Sequence, residues 1–282
     1  GKLQTSLTVS DATTTNNIPP VKDDDHVIAE AIAQWEALCQ RENNPAYQIS
    51  SDVMDTVEYN REKICEFYYG IVDSLDTNNS MDRRIVAIAM SYLKRYVERC
   101  GKSNFNLLLM TSLFLAMKTH CNRTSEEDIT YDSIMKQCKF YRFPVRYIAR
   151  MEEYMMEALG FHLNPPVSQQ FVDILVPLIE NADESLLDPS MKHQLHYLSY
   201  WMCEISVLDS FFTGVKPSSV AYAAVLVAMT IASSDGSSIA KRWLDSLGLK
   251  DQDDNVISQC HDQFLVLFSA SDDEMSHESS SR

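Results

Sequence analysis

Glycine is nearly missing from this chain, with 7 residues in 282, where about 7% is usual. No run of alternating β-branched residues occurs either, so helices are expected throughout and the fold class reads as all-α. The 7 cysteines contain no C-x-x-C pair, and their odd number does not suit a disulfide framework. Reduced thiols place the chain in the nucleus and/or cytoplasm. No signal-peptide pattern follows Gly1, and no apolar run reaches the about 20 residues of a membrane span. A nucleophile–base motif, a Walker loop and a dinucleotide fingerprint are all absent, which reads as no enzyme, no catalytic residue and no cofactor. His193 and His196 stand as H-x-x-H, but no further Cys or His follows at zinc-site spacing, so no metal site is expected. Positive charge is also short. The formal charge is −16, which disfavours a nucleic-acid partner because phosphate neutralisation needs a basic face.

What cations there are cluster. Residues 81–150 carry 13 Lys/Arg against 6 Asp/Glu, and one basic region on an acidic protein suits a protein partner. Within it, Asn104–His120 is apolar on every side of a helical wheel from Phe105 to Met117 and so predicts a central helix surrounded by others. A lone cation, Lys118, closes it. Around it the chain breaks into helical segments. Residues 1–25, polar and ending in three Asp, predict a disordered tail. Residues 26–58 hold an amphipathic helix at about 27–40, with Ile32, Trp35, Leu38 and Cys39 on one face, then an irregular connection. Further helices are expected at 61–75, 82–99, 130–140 and 144–159. Asn164-Pro165-Pro166 cannot continue a helix and reads as a hinge. Beyond it, helices are expected near 167–180, 189–208, 217–233, 239–247 and 253–269, and residues 271–282 read as a disordered acidic and Ser-rich tail. The divisions are thus 59–164 and 165–270.

The two halves share letters. Leu115-Ala-Met-Lys118 stands opposite Val227-Ala-Met-Thr230, Ser91-Tyr92 opposite Ser199-Tyr200, and Ile148–Glu152 opposite Ile257–His261. Offsets of 108 to 112 residues suggest two copies of one five-helix unit. Where the first copy has Lys118 and Glu152, the second has Thr230 and His261. Packing alone requires no charge at these places, which points to the first unit as the working surface.

Five stretches, in order, resemble the cyclin family, regulatory subunits of cyclin-dependent kinases. They are Ile88–Tyr96 (ending Tyr-Leu-Lys-Arg-Tyr), Leu113–Lys118, Arg150-Met-Glu152 with Phe161 following, Glu204–Asp209, and Lys216-Pro-Ser218 before an Ala-rich helix. No cyclin subtype is singled out. The resemblance implies a cyclin-like fold of two tandem five-helix domains with an extra N-terminal helix. It also implies a non-catalytic subunit that binds and activates a cyclin-dependent Ser/Thr protein kinase in cell-cycle control. Lys118 and Glu152 match the family's pair that holds backbone groups of the kinase's mobile helix, by the charge-assisted bonds that are the strong ones. Leu115, Met156, Phe161 and Leu163 line that interface or belong to the core.

The resemblance further implies a groove for docking-motif substrates or inhibitors, formed by Ile64 and Phe67, with Arg61 and its acidic partner Glu66. There are departures. Lys94 stands where the family usually has Asp. Thr119-His120-Cys121 replaces the family's aromatic and acidic residues after the Lys, and Asn60 replaces the usual Met. The cations Lys136, Lys139, Arg142, Arg146 and Arg150 form either an anion-binding surface or a solvated face. The alternative function is a cyclin-fold scaffold that binds transcription proteins or nucleic acid and no kinase.

Overall fold

The computed structural model describes residues 23–49, 55–75, 82–121, 143–180, 189–232, 236–249 and 253–279. Among the described residues there are helices and no strand, in the order α1 (Asp23–Glu42), α2 (Asp55–Tyr59), α3 (Arg61–Leu75), α4 (Arg84–Cys100), α5 (Phe105–His120), α6 (Val145–Ala158), α7 (Ser168–Glu180), α8 (Pro189–Leu208), a 3-10 turn (Ser210–Phe212), α9 (Pro217–Ala232), α10 (Gly236–Ser246) and α11 (Asp254–Ser279). The helix expected at 130–140, residues 1–22 of the expected N-terminal tail and residues 280–282 of the expected C-terminal tail lie outside the described residues, while 271–279, expected to be disordered, continue the last helix.

Two apolar cores form, each around one helix that is buried on all sides. In the first, α5 is enclosed from Leu107 to Met117 save for half-buried Phe114, packed between α4 and α6. In the second, α9 is buried without a break from Ser218 to Met229 and is surrounded by α7, α8, α10 and α11. The helices whose letters match across the halves occupy matching places, α4 with α8, α5 with α9, and α6 with α11. Apolar residues all round a helix leave it no solvated side, so each unit is organised from its centre outward. Gly101, at φ 79°, ends α4 with its N–H on Val97 O at 2.9 Å, a positive-φ backbone that costs glycine little.

Three boundaries differ from expectation. Helix α1 already includes Asp23–Asp25, since acidic residues suit a helix N-terminus. The connection expected to be irregular contains α2, whose Glu58 turns out to matter. Helix α11 runs to Ser279, because no Gly or Pro stands between residue 254 and its end to stop it.

Helix α1 docks on the second unit. Trp35 is 3% exposed and meets Phe171 edge-on with ring centroids 5.1 Å apart, and Ile32, Leu38 and Cys39 pack against the same core. At its end, the buried Glu42 accepts from Ser218 N at 2.8 Å and Ser218 Oγ at 2.7 Å. The carboxylate thus serves the first turn of α9, where free N–H groups and the helix dipole favour a negative charge.

The seam between the units is ionic. Arg83 Nε bonds Glu204 at 2.9 Å while the same guanidinium pairs with Asp73 and stacks 4.5 Å from the Tyr69 ring. Arg84 reaches Asp173 at 2.7 Å. Arg61, 7% exposed, donates to Val207 O at 2.6 Å and to Thr213 Oγ1. Its acidic partner is Glu58, at 3.0 Å, which corrects the expected pairing with Glu66. The turn at Asn60 between α2 and α3 brings Glu58 and Arg61 together, whereas Glu66, five residues on, faces solvent. Glu58 also holds Lys94 Nζ at 2.6 Å, so the cation that departs from the family pattern shares its carboxylate with Arg61.

Candidate functional site: a cation and carboxylate at the mouth of the first core

Lys118 lies in the last turn of α5, the first position on that helix where a charge reaches water. Its Nζ sits 2.7 Å from Glu152 Oε1 of α6 and 5.9 Å from the centroid of the Phe114 ring, a cation–π distance. The partners are unequal. The Lys118 side chain is 58% exposed and that of Glu152 only 9%. Lys118 therefore pins a mostly buried carboxylate and still presents N–H groups outward. Glu153, next in sequence, is exposed and makes no such contact. In the second unit, Thr230 turns its hydroxyl back on Leu226 O at 2.9 Å, and His261 lies beside its neighbour Asp262 at 3.5 Å. The ionic pair has no copy there.

Beside the pair, α6 ends in an unusual turn. Gly160 and Phe161 have φ of 60° and 59°. Glycine adopts this region freely, but for a bulky L-residue it is strained. Phe161 is nevertheless 66% exposed, so no burial of its own ring explains the strain.

The turn is held from behind. Arg95, fully buried, donates to His162 O at 2.9 Å and Leu159 O at 3.3 Å, with its guanidinium 5.0 Å from the Tyr47 ring. Arg99 donates to Ala158 O. Tyr92 Oη donates to Leu163 O, and His120 Nε2 approaches the same oxygen at 2.7 Å. Burial lowers the Arg95 pKa to about 10, with the Arg99 charge adding to the effect. Burial likewise raises that of Tyr92 to about 12. Orphan carbonyls at a helix end are what such donors satisfy.

The site residues expected from sequence divide accordingly. Lys118 and Glu152 meet. Phe161 is exposed, Met156 and Leu163 are half-buried, and these five share one end of the first unit. Leu115, 1% exposed, belongs to the core and shapes the surface only from beneath. Of the docking residues, Ile64 (3% exposed) and Arg61 point inward, while Phe67 is half-buried and Glu66 exposed. The four do not form one groove, because the buried stripe of α3 takes Arg61 and Ile64. Arg95 and Tyr92 belong to the Ile88–Tyr96 stretch, where nothing in the sequence distinguishes them from packing residues. Glu58 gave no signal, since its segment showed no helical pattern. Among the described residues no group of His, Cys, Asp and Glu could hold a metal, and no helix is long and apolar enough to cross a membrane. Of the cation series, Arg146 and Arg150 lie over Tyr147 and Tyr154 of their own helix, while Lys136, Lys139 and Arg142 lie outside the described residues.

A tandem of helical units with a charged pair on one copy only defines a class, and comparison with known proteins supplies its name. The family model for the cyclin N-terminal domain matches residues 34–164 and that for the cyclin C-terminal domain residues 170–281. The chain belongs to the cyclin family. A putative cyclin-A3-1 of Arabidopsis thaliana is 28% identical over 149 residues, which are 51% of this chain and 38% of that protein. The match therefore spans well under half of the relative's length. Among solved structures, the CAK complex of Chaetomium thermophilum bound to ATP-gamma-S superposes with a TM-score of 0.52 at 15% identity, covering 87% of this chain and 74% of that one. The yeast TFIIK complex gives 0.53 at 15% identity, with 81% and 93% covered. At such identities the likeness is one of fold.

Proposed function

We propose that this cyclin is a non-catalytic regulatory subunit that binds and activates a cyclin-dependent Ser/Thr protein kinase in the nucleus or cytoplasm, controlling cell-cycle progression. The observation that carries it is the Lys118–Glu152 pair at 2.7 Å, present in one unit and absent from its copy. A packing role would call for it in both. Lys118 donates to carbonyl oxygens and Glu152 accepts from N–H groups of a kinase helix, while Phe161, Met156 and Leu163 supply apolar contact. The strain at Phe161 suits a residue presented for binding, since strained backbone persists where the surroundings over-determine it. Orienting that kinase helix sets its Glu against the ATP-binding Lys, which phosphoryl transfer requires. Docking-motif substrates or inhibitors would meet Phe67 and Glu66, the accessible members of the α3 set. Pull-down of the full chain from nuclear extract, with identification of the captured proteins, tests the function. A cyclin-dependent kinase retained by wild type and lost with Lys118→Ala supports it. Capture of transcription proteins without any kinase would favour a scaffold instead.

A further inference from the structure

Between the two units lies a cavity of about 420 Å³, away from the Lys118–Glu152 surface. Its walls are largely apolar, with Met90, Val207, Phe212 and Val220 among them, but Arg61, Lys94 and Lys216 line it as well. The counter-charges do not match. Glu58 serves Arg61 at 3.0 Å and Lys94 at 2.6 Å at once. Glu42, also in the wall, spends both oxygens on Ser218, and Lys216 bonds Asn43 at 2.9 Å. Lys216 is exposed to water, so the buried imbalance lies at Arg61 and Lys94, two cations that share the single carboxylate of Glu58 in a chain whose overall charge is −16. The Arg61 and Lys94 side chains are each only 8% exposed, so water screens the surplus poorly. Burial and the Arg61 charge push Lys94 down to about 8, against the pull of Glu58.

Gln169, 1% exposed, is in the same wall, and neither its amide oxygen nor its nitrogen has a hydrogen-bond partner. Buried amides are nearly always paired, and an unpaired one lowers stability until something meets it.

The geometry points to a binding site for an acidic–apolar peptide segment of a partner protein, with one carboxylate closing the charge at Lys94 and Arg61. A monoanion balances the surplus one for one, whereas a phosphate overshoots it. The volume lies within the range of ligand sites and exceeds what an inorganic ion fills. Apolar side chains flanking the carboxylate bury against Met90, Val207 and Phe212, and the peptide backbone supplies both a donor and an acceptor for the Gln169 amide once that side chain turns.

The test uses the full chain and three probes, acetyl-Leu-Xaa-Leu-amide with Xaa as Asp, Asn or phosphoserine, titrated while the lysine ε-methylene resonances are followed by NMR. The Asp peptide is expected to bind saturably, to raise the titration midpoint of the Lys94 signal, and to bind at least tenfold more tightly than the Asn peptide. Lys94→Gln should remove that tenfold preference. Gln169→Leu, which keeps the charges and tests the amide separately, should weaken both peptides alike. Absence of saturable binding, equal affinity for Asp and Asn, or tighter binding of phosphoserine than Asp would overturn the carboxylate assignment. A Lys94 shift that appears with protein concentration alone would overturn the partner and make a second copy the occupant.

Discussion

Replacing Glu58 with Gln should loosen the whole molecule, although Glu58 sits on a five-residue helix. Its two oxygens hold Arg61, Lys94 and the Thr213 hydroxyl, at 3.0, 2.6 and 2.8 Å. Arg61 in turn ties the first unit to Val207 O of the second at 2.6 Å. Glutamine keeps the shape and removes the charge, leaving two buried cations without a carboxylate. Breaking a buried pair from one side costs about 3–5 kcal/mol. Glu58 itself is 19% exposed, so about 3 kcal/mol is expected, or a fall in Tm of about 6–12 °C for a chain of this size. Circular dichroism melts at pH 7 measure it. Adding Lys94→Met to Glu58→Gln should recover part of the loss, because one stranded cation is gone.

The pH dependence has a definite sign. Burial pushes the Glu58 pKa up, but Lys94, Arg61 and Thr213 outweigh it and hold the carboxyl below 4.5. Its contribution is therefore present above about pH 4.5 and is lost as pH falls through the lower folded value. The gap between wild type and Glu58→Gln should close in acid. Lys94 gives a slope of the same sign at alkaline pH. With a folded pKa of about 8 against 10.5, the unfolded chain binds the extra proton between those values. Lys94 thus makes stability rise with pH there, an effect that Lys94→Met should abolish. A Tm for Glu58→Gln within about 2 °C of wild type at pH 7, well short of the change expected from a buried pair, would show that Glu58 does not hold the two cations.

Further outcomes are expected at three positions. Arg95→Lys keeps the charge but loses the guanidinium fork that reaches Leu159 O and His162 O, so hydrogen exchange at the Phe161 and His162 amides should quicken and kinase affinity fall. Trp35→Ala empties a buried site against Phe171 and should cost about 3–5 kcal/mol, read as a lower urea midpoint at unchanged m. Phe67→Ala should weaken phosphorylation of docking-motif substrates and spare a short peptide substrate, and equal loss on both would make Phe67 a core residue only.

The fold was readable because it rests on periodicity. A helix apolar on all sides must be central, and α5 was legible in that way, while α9 was legible as an Ala-rich helix beyond the break at prolines 165 and 166. Lys118 and Glu152 were legible as charges where packing asks for none. Glu58 was not, because its effect comes from spatial neighbours: Lys94 is 36 residues away in sequence, and nothing local marks a five-residue helix. Ile64 and Arg61 were placed on a groove for the opposite reason. Their helical spacing shows which residues share a face, but not which face turns toward the second unit. The left-handed backbone at Phe161 was equally hidden, since it depends on Arg95, Tyr92 and His120 reaching in from two other helices.

Affinity for the captured kinase decides whether the ionic pair of the first unit is the kinase-binding element. Hydrogen bonds to charged groups contribute about 1.5–3 kcal/mol each. In the free protein Lys118 and Glu152 already bond each other at 2.7 Å, so the lower end applies, about tenfold in Kd for either residue. Calorimetric titration of wild type, Lys118→Ala, Glu152→Ala, Thr230→Ala and His261→Ala against that kinase should give losses of about tenfold or more for the first two variants and none for their second-unit counterparts. Wild-type affinity in both Lys118→Ala and Glu152→Ala would exclude the pair as the kinase-binding element.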